Sequence, residues 1–149
     1  LDAAERDPEK IAGAVVGLPP AQLRYKPSPE KWCILEILAH LADIEIVYGY
    51  RLRQMLADKN PTIAPIEQDD WARNLGYMES SVPELVALYS LNRRANVRLL
   101  RRLKAQDLDK SAFHPELNRQ MTVAEIVERM AGHGPNHLEQ IRRLKQQAA

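Results

Sequence analysis

The fold is decided by the stretch TVAEIVERMAGHGPNHLEQIRRLK, which occupies residues 122–145. Its apolar residues recur every three or four positions, as on one face of an α-helix, at Ile126, Met130, Ile141 and Leu144. At about 100° per residue, His133 and His137 fall inside this apolar stripe, one turn apart. A helix buries such a stripe, and a buried imidazole is costly unless its polar atoms find partners. The stretch therefore predicts a core helix that carries two inward-facing histidines.

The boundaries and the middle of this helix carry further signals. Thr122 and Glu125 form a capping-box pattern, which places the helix start at Thr122 and its end near Lys145. Pro135 should remove one backbone hydrogen bond and bend the helix. Because the apolar residues beyond the proline, Ile141 and Leu144, continue the same helical spacing, we predict one kinked, continuous helix. The alternative is a new helix that starts at Gly134-Pro135, which would separate the two histidines.

The remainder of the chain also carries helical periodicity, and Pro-Pro, Asn-Pro and Ser-Pro pairs interrupt it. We predict further helices at residues 7–16, 28–58, 69–77 and 81–104. The second has a buried stripe at Ile34, Ile37, Leu38, Leu41, Ile44, Tyr48, Leu52 and Met55. The fourth has an inward face at Leu85, Leu88, Ala95, Leu99 and Leu103. Residues 105–121 are predicted to form a loop, because no stretch alternates long enough to suggest a sheet. The fold class is therefore all-α, an up-and-down four-helix bundle with short extra helical turns in its loops.

Composition excludes several classes of protein. The chain has 149 residues, enough for one domain spanning 1–149, with 45% hydrophobic and 28% charged residues and a net charge of +1. This balance gives no reason to expect a nucleic-acid or membrane partner. The single cysteine, Cys33, excludes an intramolecular disulfide and fits a reducing compartment. We see no signal peptide and no apolar run of about 20 residues, so we expect a cytoplasmic protein.

The histidines are the main candidates for chemistry. Two imidazoles one turn apart can share a metal ion, and the alternative is a pair of hydrogen-bonded core histidines. A third ligand must come from elsewhere, and His40 lies at the flank of the buried stripe of the second helix. Glu36 and Asp43, one turn away on either side, could bond His40 structurally or orient it as a ligand. His114, in a loop beside a proline, is expected to be exposed or to cap a helix.

Other polar and aromatic residues have structural and functional interpretations. Glu45 lies within an apolar stripe, which favours an ion pair to a neighbouring helix over a role as a catalytic base. Cys33 is expected to be a buried thiol that fills the core. The basic run is expected to form a solvated helix face, with an anionic-ligand site as the alternative. It consists of Arg93, Arg94, Arg98, Arg101, Arg102 and Lys104. We expect core packing for three aromatic residues, Trp32, Trp71 and Tyr77, with the lining of a substrate pocket as the alternative.

These residues carry a resemblance to a known family. Residues 27–45, PSPEKWCILEILAHLADIE, resemble the second-helix signature of the DinB-like (DinB/YfiT) superfamily. Residues 122–127, TVAEIV, followed by the His133-x-x-x-His137 pair, are similar to its closing helix. Between them, Asp70-Trp-Ala-Arg73 and Tyr77 are similar to the middle of one branch. One departure is Gly134-Pro135-Asn136, where the family often has acidic or polar residues that suit a helix.

The resemblance implies a four-helix bundle, often a homodimer, in which three histidines hold one divalent metal ion. The implied ligands are His40, His133 and His137, and the ion would be zinc, nickel or iron. Known members include transferases and isomerases that use low-molecular-weight thiols. We therefore expect a metal-dependent enzyme of the thiol-transferase or isomerase type, with a small molecule as substrate. A hydrolase would fit the same ligands. The competing hypothesis is a non-catalytic, dimeric helical module whose metal is structural or lost.

Overall fold

Seven α-helices and one β-hairpin form the part of the chain that the computed structural model describes, residues 1–148. The helices are α1 (Asp2–Glu5), α2 (Asp7–Val15), α3 (Pro20–Leu23), α4 (Ile34–Ala57), α5 (Gln68–Asn74), α6 (Val82–Leu100) and α7 (Val123–Gln147). The hairpin strands are β1 (Ser111–His114) and β2 (Arg119–Thr122), and single 3-10 turns occupy Tyr77–Glu79 and Ala105–Asp109. None of the described helices is both long and apolar enough to cross a membrane.

Four of these helices, α2, α4, α6 and α7, form the bundle, which confirms the predicted fold class. Both α2 and α4 pack against α6 and α7, so α2 and α4 lie diagonally across the core. Every residue of the predicted α4 stripe is buried, from Ile34 to Met55. The stripe is this regular because α4 contacts neighbours along its whole length, so its apolar period reports its true inner face.

The start of α4 differs from the prediction. The Ser28-Pro29 signal predicts a start at residue 28, whereas the helix begins at Ile34 after a turn. Cys33 has extended backbone geometry at the N-cap, and its backbone N–H donates to the Glu36 carboxylate at 2.9 Å. This cap satisfies a helix-end donor that would otherwise be buried without a partner. The cap at Cys33 therefore sets the helix start.

The inner face of α6 also differs from the prediction. Its buried residues are Tyr89, Arg93, Asn96, Val97 and Leu100, while Leu88 is exposed and the helix ends at Leu100. Three residues of the predicted face, Leu85, Leu99 and Leu103, are partly buried and pack at the edge of the core. The apolar pattern missed the centre of the inner face because two of the innermost positions are polar. Asn96 donates hydrogen bonds to the backbone and side-chain oxygens of Glu45, each at 2.9 Å. Polar side chains are stable in this core because α4 supplies their partners.

The basic run of α6 is divided between core and surface. Arg93 is fully buried, so the prediction of a solvated face is wrong for this residue. Arg94 and Arg98 are exposed, as predicted. Arg101 is half exposed and forms ion pairs with Asp2 and Glu5 of α1, at 2.7 and 2.8 Å. The run therefore attaches the N-terminal segment to the bundle as well as covering a surface.

A β-hairpin lies where a loop was predicted. Strands β1 and β2 pair in antiparallel register, with Ser111 opposite Thr122 and His114 opposite Arg119. Asn118 adopts a φ of 48°, a left-handed turn conformation that asparagine tolerates. Four-residue strands are too short to show a convincing alternation in sequence. The hairpin buries Ala112 and Met121 against the bundle.

Helix α7 is continuous through Pro135, so the two histidines remain one turn apart, as predicted. The capping box at its start is also confirmed, since the Thr122 hydroxyl accepts from the Glu125 backbone N–H at 3.3 Å. In return, the Glu125 carboxylate accepts from the Thr122 backbone N–H at 2.8 Å. A well-formed cap and a buried apolar face together stabilise a helix that contains an internal proline.

Gly134 is explained by its packing against α2. A Cβ atom at this position would lie 2.7 Å from Oδ2 of Asp7 and 2.9 Å from its Cβ. The Asp7 side chain is itself buried, so it has little room to move aside. Glycine therefore allows α2 to approach α7 next to His133. The departure of this chain from the family pattern has a steric reason and does not break the helix.

Two glycine substitutions on α7 test this packing. Gly134→Ala should lower the free energy of unfolding by about 1–3 kcal/mol, because the new methyl group overlaps Asp7. Gly132→Ala is the matched control, since a Cβ there meets nothing within 4 Å. It should raise stability by about 0.5–1 kcal/mol through helix propensity. Urea unfolding of both variants measures the difference, and equal effects of the two substitutions would contradict the packing.

Candidate metal centre

Three histidines meet where α4 and α7 cross. Nε2 of His40 lies 3.0 Å from Nε2 of His133, and Nε2 of His137 lies 3.2 Å from Nε2 of His133. One ring nitrogen from each of the three lies within 4.8 Å of the others. His40 is buried, and the two histidines of α7 are partly buried. The structure therefore brings together the three residues that the sequence analysis singled out as metal ligands.

The surroundings keep these imidazoles neutral. Burial, together with the nearby His137, lowers the pKa of His40 and of His133 to about 3. Burial also lowers the pKa of His137. Neutral imidazole is the form that binds a metal ion, because its ring nitrogen then has a free lone pair.

The tautomer of His137 is fixed by a neighbour on the same helix. The side-chain oxygen of Gln140 lies 3.0 Å from Nδ1 of His137. An amide oxygen only accepts, so Nδ1 carries the proton of the neutral ring. Nε2 of His137 is then left with its lone pair directed at the other two histidines. Hydrogen bonds of this kind orient metal-binding histidines in other proteins.

The nitrogen cluster fits a divalent ion. Zinc–nitrogen bonds of about 2.0–2.1 Å at tetrahedral angles separate the ligand atoms by about 3.3 Å. The two closest Nε2 pairs, at 3.0 and 3.2 Å, are near this separation. Hydrogen bonding alone satisfies the cluster poorly, because Nε2 of His133 lies 3.0 and 3.2 Å from two other ring nitrogens and carries at most one proton. A cation among the three nitrogens would engage their lone pairs together.

Two aromatic rings border the cluster. The ring of Trp32 lies 4.8 Å from that of His40, measured between centroids. The ring of Tyr48 meets that of His133 edge-on at 5.9 Å. Trp32 thus serves as a packing anchor next to the site. Tyr77 packs in the core and donates a hydrogen bond from its hydroxyl to Asp43 at 2.7 Å, and Trp71 is partly buried nearby.

An open cavity of about 320 Å³ leads to the histidines. It is lined by His40, Ile44, Tyr48, Arg51, Pro65, Ile66, Gln68, His114, Glu116, Arg129 and His133. Two of the three clustered histidines contribute to its wall. A small molecule could therefore reach the position that a metal ion would occupy.

His114 differs from its expectation, because it is buried and not exposed. It lies on β1, and the hairpin turns it into the same cavity as His40 and His133. Burial and the positive charge of Arg51 lower its pKa. Its position was missed because the hairpin was missed. The sequence gives no usable signal for it, because the large apolar residue of this strand, Phe113, is exposed while His114 is buried.

The carboxylates that could have oriented His40 have other partners. Glu36 caps Cys33 and forms an ion pair with Lys26 at 2.7 Å. Asp43 accepts the hydrogen bond from Tyr77. Neither the structural bond nor the orienting role expected for Glu36 and Asp43 is present. The residue that orients a clustered histidine is Gln140, which the sequence analysis did not single out.

Glu45 and Cys33 lie in the core. Glu45 is fully buried and pairs with Arg93 at 2.9 Å, and it is absent from the lining of the histidine cavity. This geometry favours the ion-pair interpretation over the weaker candidacy of Glu45 as a catalytic base. Cys33 is fully buried beside Met78, and burial raises the pKa of its thiol. A protonated, enclosed thiol is a poor nucleophile.

A helical bundle with three neutral histidines converging beneath a cavity defines a candidate metalloprotein. The model of the DinB superfamily matches residues 3–141. The chain therefore belongs to the DinB superfamily, which confirms the resemblance found in the sequence.

Curated relatives and a solved structure agree with this membership. A Bacillus cereus (strain 03BB102) protein named "Putative metal-dependent hydrolase" is 30% identical over 141 residues, covering 93% of this chain and 79% of its own length. A Bacillus mycoides (strain KBAB4) protein with the same type of name is 30% identical over 142 residues, with the same coverage. YfiT from Bacillus subtilis, described as a probable metal-dependent hydrolase with an unusual four-helix bundle topology, superposes with a TM-score of 0.91. At 22% identity, covering 98% of this chain and 83% of YfiT, it shows the fold.

Gln140→Ala tests the orientation of His137. The variant removes the oxygen that accepts the hydrogen bond from Nδ1–H of His137. Zinc binding should weaken by about 10-fold or more, because the ring then loses its fixed tautomer and orientation. Competition against a chromogenic zinc chelator measures the affinity. Gln146→Ala, an exposed position on the same helix, is the control and should leave the affinity unchanged. Equal affinities for parent and Gln140→Ala would show that the hydrogen bond plays no part in metal binding.

Proposed function

We propose that this chain is a metal-dependent enzyme whose ligands are His40, His133 and His137. The observation that supports this most is the convergence of three neutral imidazoles beside an open cavity. A structural metal site is usually closed by four protein ligands, whereas a catalytic site keeps a position open. Among the described residues, the cluster contains only three histidine, cysteine or carboxylate side chains. Imidazole nitrogens accept zinc, nickel and ferrous iron, so the ion depends on availability.

The reaction that we propose is transfer or isomerisation that uses a small thiol. A divalent ion held by the histidines would favour the deprotonated form of a bound nucleophile at neutral pH. The protein offers little further help in removing a proton. Glu116, the one carboxylate that the described residues contribute to the cavity wall, is exposed at its rim. A thiol, with a pKa of about 8.5, needs less help than water to lose its proton.

Individual residues have defined roles in this proposal. Gln140 holds His137 in the tautomer that presents Nε2 to the cluster. The rings of Trp32 and Tyr48 cover the histidines and exclude water from part of the site. His114 is a neutral imidazole in the cavity wall, and could accept a proton that the nucleophile releases.

Hydrolysis is the second candidate, and the names of the curated relatives favour it. It would use the same three ligands, with water as the nucleophile. A non-catalytic module with a structural metal remains the competing class of function. The homodimer implied by the resemblance stays a prediction, which sedimentation equilibrium would test.

Cobalt-loaded protein distinguishes these functions. Titration with 2-mercaptoethanol should produce a sulfur-to-cobalt charge-transfer band in the parent, because the thiol binds at the open position. His137→Ala should lose both cobalt and the band, and Gln146→Ala should retain both. Conjugation of the thiol to 1-chloro-2,4-dinitrobenzene and hydrolysis of 4-nitrophenyl acetate are then measured on the same samples.

Each outcome points to one function. A thiol band together with conjugation that requires His137 supports the transferase. Ester hydrolysis that requires His137, without a thiol band, supports the hydrolase and contradicts the transferase. Bound cobalt that responds to neither reagent supports the non-catalytic module.

A further inference from the structure

The cavity beside the histidines has a positively charged wall. Arg51 enters it from α4 and Arg129 from α7. Arg51 is buried, with 8% of its surface exposed, whereas Arg129 is exposed at the rim. Burial raises the pKa of the Tyr48 hydroxyl, and the positive charges of both arginines act to lower it. Tyr48 lies between the histidines and the arginines in the cavity lining. Neither arginine contributes to the proposed metal cluster.

Arg51 is a buried cation without a matching anion. Its Nη2 donates to the carbonyl of Ala64 at 2.8 Å, and it takes part in none of the ion pairs that the described residues form. Glu116 acts on it only as a nearby charge. A guanidinium has five N–H donors, so one carbonyl leaves most of them free. Arg93, the other buried arginine, has carboxylates at 2.9 and 3.6 Å. The remaining guanidinium nitrogens of Arg51 are not among the fully buried atoms without a partner, so their N–H groups are accessible to a ligand in the cavity.

The one acidic residue of the wall does not cancel this charge. Glu116 is exposed, so water screens its carboxylate. The wall holds two arginines against this one carboxylate, which leaves it with an excess of positive charge. The remaining wall includes apolar Ile44, Pro65 and Ile66. A cavity of about 320 Å³ with these surfaces suits a small organic anion.

We propose that the substrate carries a carboxylate or phosphate group that binds between Arg51 and Arg129 while its reacting end faces the histidines. Arginine pairs well with both anions, because its planar fork matches their oxygen atoms. The statement that the anion is a substrate rests on the proposed function. The charge preference of the cavity does not, because it needs no metal ion.

Matched thiols test the preference. Zinc-loaded protein is titrated by calorimetry with 3-mercaptopropionate and with 3-mercapto-1-propanol, which differ in charge at similar size. The acid should bind about tenfold more tightly, as expected for a charge-assisted hydrogen bond to a partly buried arginine. Arg51→Met and Arg129→Gln should each remove most of this difference without changing the zinc content. Arg142→Gln, an exposed position on α7, is the control and should keep it.

A carboxylate could also bind zinc directly. The arginine variants distinguish that binding mode from binding to the cavity wall. A preference for the acid that persists in Arg129→Gln and in Arg51→Met would overturn the proposal, as would no preference in the parent. If Arg51→Met does not fold, exposed Arg129→Gln decides alone. Competition by propionate and by methyl phosphate shows which of the two anions the site prefers.

Failure of the proposed function gives a different result. If the protein binds no metal, the same two thiols are titrated into the metal-free protein and its Arg129→Gln variant. A preference for the acid that Arg129→Gln abolishes supports the anion site although the enzyme proposal has failed. Equal binding of the two thiols to the metal-free parent overturns the anion site.

Discussion

The buried ion pair between Arg93 and Glu45 holds together the helices that position the site. The two side chains are fully buried and 2.9 Å apart, joining α6 to α4. Arg93 also lies 3.6 Å from Asp7 on α2, and Asp7 packs against Gly134 next to His133. Removing one partner of such a buried pair typically costs about 3–5 kcal/mol. The register between α4 and α7, and with it the histidine cluster, therefore depends on charges that lie outside the site.

The histidine cluster places a second polar group in the same core. Three neutral imidazoles from α4 and α7 direct nitrogen atoms at one another, at 3.0 and 3.2 Å for the closest pairs. The bond to Gln140 leaves Nε2 of His137 without a proton, so this atom can only accept. A divalent ion would satisfy the three lone pairs, which explains how a helical seam tolerates so many polar atoms. The arginines in the adjacent cavity wall would then select what reaches that ion.

The sequence predicted the features that depend on local spacing. The apolar stripe of α4 and the position of His133 and His137 on the inner face of α7 follow from the helical period. The capping box of α7 follows from Thr122 and Glu125, three residues apart. The third histidine of the cluster, His40, was placed by its position on a flank. What the sequence could not predict depends on contacts between distant segments. Arg93 reads as a surface residue until Glu45 is placed beside it, and His114 reads as a loop residue until the hairpin forms.

X-ray absorption at the zinc edge tests the central claim most directly. Purified protein loaded with one equivalent of zinc should give a first shell of nitrogen and oxygen atoms at about 2.0–2.1 Å. The outer-shell pattern should correspond to three imidazole rings, and His137→Ala should lose one ring or the metal. A spectrum with fewer than three imidazoles in the parent, or a parent that retains no zinc, would contradict the three-histidine site.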